Sequence, residues 1–298
     1  MFEAHFGEIA SLVTALCWTV TAISFEMAGR KIGSLSVNFI RLVIAFILIG
    51  IFTTFTRGMF IPLDATGHTW LWLSISGLIG FVIGDLFLFQ AFVEIGSRIS
   101  MLIMACSPPI TALLGFMIMN ERLTIQEMIG MFITICGIAL VILVRKSGEK
   151  KVQLAHPVKG LIFAFLGAVG QSLGLIFSKI GMGDYNAFAA TQIRIIFGII
   201  GFSIVFTIMR RWSKLNSAVR NIDAMKKVSI GAFFGPFLGV SFSLLAVQYT
   251  ETGIASTIMA IVPVLIIVPS VIIFKEKVSL KEIFGAVITV SGVALLFI

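Results

Sequence analysis

Apolar residues run along this chain in long unbroken blocks. Ten blocks stand out, at roughly 8–28, 36–56, 70–93, 97–119, 126–144, 160–180, 187–209, 228–249, 253–274 and 280–298. Runs such as Ile40–Ile49 do not alternate in polarity, which excludes the dyad pattern of a transmembrane barrel strand. About 20 apolar residues per block suit a helix crossing a hydrocarbon layer of roughly 30 Å. The pattern therefore predicts an all-α membrane protein with ten transmembrane helices. The charged stretch 146–158, with Pro157, reads as a linker between two five-helix units, 1–145 and 159–298. The stretch 210–227 is predicted to hold a short surface helix with Trp212 at the headgroup layer.

The two units repeat each other. A shift of 155 positions carries Gly80 onto Gly235, Gly84 onto Gly239, Pro108 onto Pro263, Glu121 onto Glu276, Thr134 onto Thr289 and Gly137 onto Gly292. Upstream, a shift of 153 carries Gly7 onto Gly160 and Arg41 onto Arg194. Five spans per unit is an odd number, so the second unit is expected to enter the membrane inverted. Inverted repeats are an architecture of secondary transporters, with the binding site between the halves near the midplane.

Composition supports a bilayer as solvent: 58% of residues are hydrophobic and only 12% charged. The net charge of +8 is a topology signal and not a nucleic-acid footprint. Of the 22 Lys and Arg, 17 fall in loops of one side, among them Arg30, Arg98, Lys159 and Lys275. Three fall on the other side (Arg57, Arg122, Lys179), and Arg41 and Arg194 lie within spans. The positive-inside rule puts the rich side in the cytoplasm of a cell membrane, with both termini outside. The first span lacks a basic start and is one copy of the repeat, so it does not read as a cleaved leader. Cys17, Cys106 and Cys136 lie in apolar spans and read as small buried hydrophobes. No His and Cys pattern suggests a metal, and no cofactor is expected.

Gly80-x-x-x-Gly84 and Gly231-x-x-x-Gly235-x-x-x-Gly239 put glycines on one helix face, where backbones can approach closely. Pro108 and Pro263 stand at equivalent places in spans four and nine and predict kinks beside a cavity. Glu121 to Glu127, leading into Gly130–Gly137, has a second copy from Glu276 to Glu282, leading into Gly285–Gly292. With Arg41 and Arg194 near the starts of spans two and seven, this ordered double set resembles the EamA family of the drug/metabolite transporter superfamily. The resemblance covers nearly the whole chain. It implies a ten-helix carrier of small metabolites, often amino acids or their relatives, usually moved outward. Many relatives carry a basic tail after the last span; here orientation rests on the loop charges.

Polar groups inside spans are the candidate substrate contacts. Asp85 is the deepest acid with no evident partner; it could bind a substrate ammonium, carry a proton or form a structural pair. Arg41 and Arg194 are expected near the rims, where arginine can snorkel. Glu26 and Lys179 read as solvated helix ends. Positions that differ between the repeats suit an asymmetric substrate: Trp18 against Gln171, and Gln90 against Leu245. The expected lining is Trp18, Asp85, Gln90, Gln171 and Ser172, with Arg41 and Arg194, and Pro108 and Pro263 as gating kinks. An enzyme is disfavoured because no His lies in a span to serve as base and no second deep Asp accompanies Asp85. A channel is disfavoured for want of a polar ring. A lipid translocator on the same fold remains the alternative to a metabolite exporter. The partners expected are a small molecule and the bilayer, with proton coupling through Asp85 as a further reading, no nucleic acid, and a monomeric state.

Overall fold

A computed structural model describes residues 5–119, 124–144, 153–250, 255 and 258–295. The described chain is helical apart from one two-residue ladder. Its helices are α1 (Phe6–Ile32), α2 (Ser34–Arg57), α3 (Gly67–Met104), α4 (Ser107–Met119), α5 (Ile125–Ile142), α6 (Val158–Met182), α7 (Ala187–Ile208), α8 (Trp212–Val219), α9 (Ile222–Tyr249), α10 (Val262–Phe274) and α11 (Leu280–Leu295). Between α5 and α6, β1 (Leu143–Val144) and β2 (Gln153–Leu154) pair antiparallel. Runs rich in Ile, Val and Phe favour strands in water. In an apolar medium each backbone donor must be satisfied within its own segment, which makes the same runs helical. Polar caps fix several starts: Thr124 and Glu127 form a reciprocal capping box on α5, and the Asn186 and Asn221 side chains accept from backbone amides of α7 and α9.

Seven of these helices are long and apolar enough to cross a membrane: α1, α2, α3, α5, α6, α7 and α9. The expected ten spans are thus not all matched by single long helices. α3 runs on through the expected third span into the fourth, with a non-helical backbone at Gly96 (φ 81°, ψ 159°). The expected span 97–119 is divided at Ala105–Cys106 between the end of α3 and α4. Pro108 is the second residue of α4, and Pro263 stands in the first turn of α10, where the missing amide costs no helical bond. The short helix expected within 210–227 is α8, and Trp212 packs on Phe39 and Phe206. The loop holding Glu121 and most of the linker lie outside the described residues.

Gly77–Gly84 within α3 and Phe233–Gly239 within α9 are π-helical. They lie at equivalent places under the 155-residue shift. A wider turn frees backbone carbonyls from regular pairing, and such turns recur at functional sites.

Close backbone approach sets two of the helix seams, whereas Gly231 and Gly235 of α9 are met by the Phe25 and Thr21 side chains of α1. At Gly170 of α6, a Cβ would meet the Gly84 Cα at 2.5 Å; at Gly174 one would meet the Gly80 Cα at 3.0 Å. The glycines make α3 and α6 a backbone-to-backbone seam. α5 and α11 cross reciprocally: a Cβ at Gly137 would strike Thr289, and one at Gly292 would strike Thr134. Two expectations of burial change. Cys136 on α5 is exposed, not buried, because α5 turns that face away from α11. Glu26, read as a solvated end, is fully buried, since its carboxylate accepts from the Ser97 amide just past the Gly96 break and pairs with Arg30.

Candidate functional site

A cavity of about 200 Å³ lies among α1, α2, α3, α4, α6, α7, α9 and α10. Its walls are mainly apolar, with Trp18, Phe25, Phe81, Phe89 and Phe92 among the aromatics. The charged residues of the lining are Arg41, Asp85 and Arg194. Asp85 sits directly after the π-helical stretch of α3. Arg41 Nη2 donates to Asp85 Oδ2, and Gln171 Nε2 donates to Asp85 Oδ1 at 2.5 Å. Asn38 holds this pair from below, accepting from Arg41 Nε at 3.1 Å and donating to the Asp85 carbonyl at 3.1 Å. Gln171 also reaches the Gly80 carbonyl in the π turn, at 3.4 Å.

Asp85 therefore does have a partner, and its two carboxylate oxygens are both engaged. The two arginines fold inward instead of snorkelling: Arg41 is 3% exposed and Arg194 4%. The reason is a better anchor inside. Arg41 gains Asp85 and stands 4.6 Å from the Phe89 ring centre; Arg194 stands 4.6 Å from that of Phe81, a favourable placement for a cation. The Arg194 guanidinium donates no hydrogen bond among the described residues, and its Nε is buried without a partner.

Trp18, Asp85, Gln171, Arg41, Arg194, Pro108 and Pro263 all line the cavity. Gln90 and Ser172 do not. Gln90 faces the helix ends, accepting from Ser34 and donating to Glu94. Ser172 is fully buried behind the wall, donating to the Ala168 and Ser107 carbonyls. Thr21, Thr111 and Ser243 line the cavity as well; their hydroxyls gave no sequence signal, since Ser and Thr occur throughout these helices.

Beyond Phe25 and Phe92, on the face that carries the linker, a polar network joins the two sequence halves. Arg98 Nε donates to Glu276 at 2.7 Å, and Arg98 Nη1 to Glu282 at 2.5 Å. Glu26 and the Ser97 amide lie beside them. On the same face Asp223 binds both Lys31 and Lys227. Burial, and then the Arg98 charge, push the nearby His156 imidazole below its ordinary value.

Seven helices long and apolar enough to cross a membrane, around a mainly apolar cavity with buried charges, fit a multi-pass membrane protein. The chain belongs to the EamA-like transporter family, which matches residues 5–143 and 158–298. It is similar to an uncharacterized transporter of Clostridium kluyveri (22% identical; 96% of this chain, 91% of that one). An uncharacterized transporter of Archaeoglobus fulgidus is also 22% identical, over 97% of each chain. The uncharacterized transporter YetK of Bacillus subtilis is 19% identical over 63% of this chain and 56% of its own. A crystal structure that is 17% identical shares the fold with a TM-score of 0.63, covering 97% of this chain and 95% of that one.

Proposed function

We propose that this protein is a secondary transporter of the cell membrane. It moves small amphipathic metabolites, amino acids or their relatives, outward by alternating access between two inverted five-span repeats. One observation carries the reading. The cavity draws on eight helices, four from each matched half, and on neither α5 nor α11, which pair with each other. Two four-helix groups around a site, braced by a peripheral pair, can exchange roles as the site opens to either face. An apolar wall with few convergent polar groups suits a small amphipathic solute. Outward movement follows the direction usual in the family, and the basic loops put the linker face in the cytoplasm.

Reconstituted vesicles test this. Metabolites that stabilise the purified protein are expected to show saturable, competable counterflow. Flux that never saturates, or flipping of a labelled lipid without metabolite flux, would overturn the carrier reading. Inversion has its own test. Ile125 and Leu280 are repeat equivalents and both exposed. Cysteines placed there, in a background without Cys17, Cys106 and Cys136, should be labelled from opposite sides by an impermeant reagent. Equal labelling from one side would sink the inverted topology.

A further inference from the structure

The three charged groups of the cavity do not balance. Arg41 and Arg194 bring two positive charges, and Asp85 one negative charge. The Asp85 oxygens are both occupied, one by Arg41 and the other by Gln171. Arg41 is further tied through Nε to Asn38. Arg194 is the odd member: deeply buried, facing the cavity, and with no acceptor among the described residues. A guanidinium is always charged and presents five donors. Burying it unpaired is costly, and resting on the Phe81 ring returns only part of that cost because a ring face accepts no full set of hydrogen bonds.

We propose that Arg194 is the substrate's anchor, and that the substrate is a small organic monoanion whose carboxylate docks on it while an apolar body lies against Trp18 and Phe81. This rests on the carrier reading above and names the substrate class of that same cavity. The charge count decides the valence: one negative charge brings the cavity to neutrality. The occupancy of Asp85 decides the rest. A substrate ammonium would have to displace Arg41 or Gln171 from that carboxylate, so an amine is dispensable and a cation is disfavoured. The planar fork of arginine matches a carboxylate in two-point fashion. A phosphate monoester shares that geometry but brings a second charge, which leaves the cavity with an excess negative charge.

Five probes with one apolar body separate these cases: phenylacetate, phenylalanine, phenethylamine, 2-phenylethanol and phenyl phosphate. Their binding to the purified full-length protein is read by thermal shift and by tryptophan fluorescence, and their flux by counterflow in vesicles. Phenylacetate is expected to bind most tightly, at least about tenfold tighter than the amine or the alcohol, since charge-assisted hydrogen bonds are the strong ones. Arg194→Gln should erase that preference, while Arg194→Lys should retain part of it. The wild-type order alone tests the idea even if a variant folds poorly. Preference for phenylalanine, the amine, the alcohol or phenyl phosphate over phenylacetate, failure of every probe to bind, or an order unchanged in a folded Arg194→Gln protein would overturn it. Saturable counterflow of a neutral or cationic metabolite, untouched by Arg194→Gln, would overturn the anchor and leave the carrier standing. Unsaturable flux of every solute would overturn both.

Discussion

Arg98 of α3 holds Glu276, 178 residues further on, through a 2.7 Å hydrogen bond from Nε to Oε2. The same guanidinium takes Glu282 at 2.5 Å, so one side chain clamps the two halves on the linker face. Arginine can do this because its donors form a fixed fork. Arg98→Gln removes the charge and should favour opening on that face. A cysteine at Met101, which lines the cavity, should react with an impermeant reagent from the linker face several-fold faster in Arg98→Gln than with Arg98 present. Unchanged labelling would remove the clamp from the gating scheme.

Asp85 and Arg41 form a buried ion pair, and breaking one side strands the other charge. Asp85→Asn should therefore destabilise the protein by about 3–5 kcal/mol, read as a lowered melting temperature in detergent. Adding Arg41→Gln should recover part of that loss, and the double-mutant cycle measures the coupling. Should Asp85→Asn be neutral for stability yet abolish proton-driven accumulation, the acid is a proton carrier and not a structural partner of Arg41.

His156 predicts a pH dependence. Its folded value lies below the ordinary imidazole value of 6.5 because burial, then Arg98, disfavour the cation. The folded protein then binds fewer protons than the unfolded chain just below that pH. This contribution to stability is fully present above about 6.5 and is lost as pH falls through the folded value. Thermal melts from pH 7.5 to 5.5 should fall less steeply for His156→Gln than for the wild type. Equal slopes would assign the acid sensitivity elsewhere.

The apolar helices and one seam were readable from the chain because membrane burial writes itself in composition: the α3–α6 seam follows from glycines spaced by four, whereas the break at Gly96 and the division of the span 97–119 were not readable. The site was readable only by residue type. Asp85, Trp18 and Gln171 could be singled out, but the partner of Asp85 lies 44 residues away on α2, and no local pattern reports a contact between helices. Arg41 and Arg194 carry the same ambiguity, since a long side chain near a helix end can turn outward or inward. Gln90 and Ser172 were chosen for polarity, and polarity alone does not say which helix face meets the cavity. The π turns left no trace for a similar reason: a local change of hydrogen-bond partner alters no residue type.

Those two π turns have a history in them. Each occupies the same place in its half, Gly77–Gly84 in one and Phe233–Gly239 in the other, and the same family matches each half separately. A π turn is rare and appears mostly as a single turn inside an α-helix. Two rare turns at matching places are what two copies of one half-length unit would carry. The halves differ just after the turn: the first has an acid, Asp85, and the second a valine, Val240. On this account the π turn and the arginine are common to both halves of the cavity, Arg41 in one and Arg194 in the other, and among its charges the acid alone sets the halves apart.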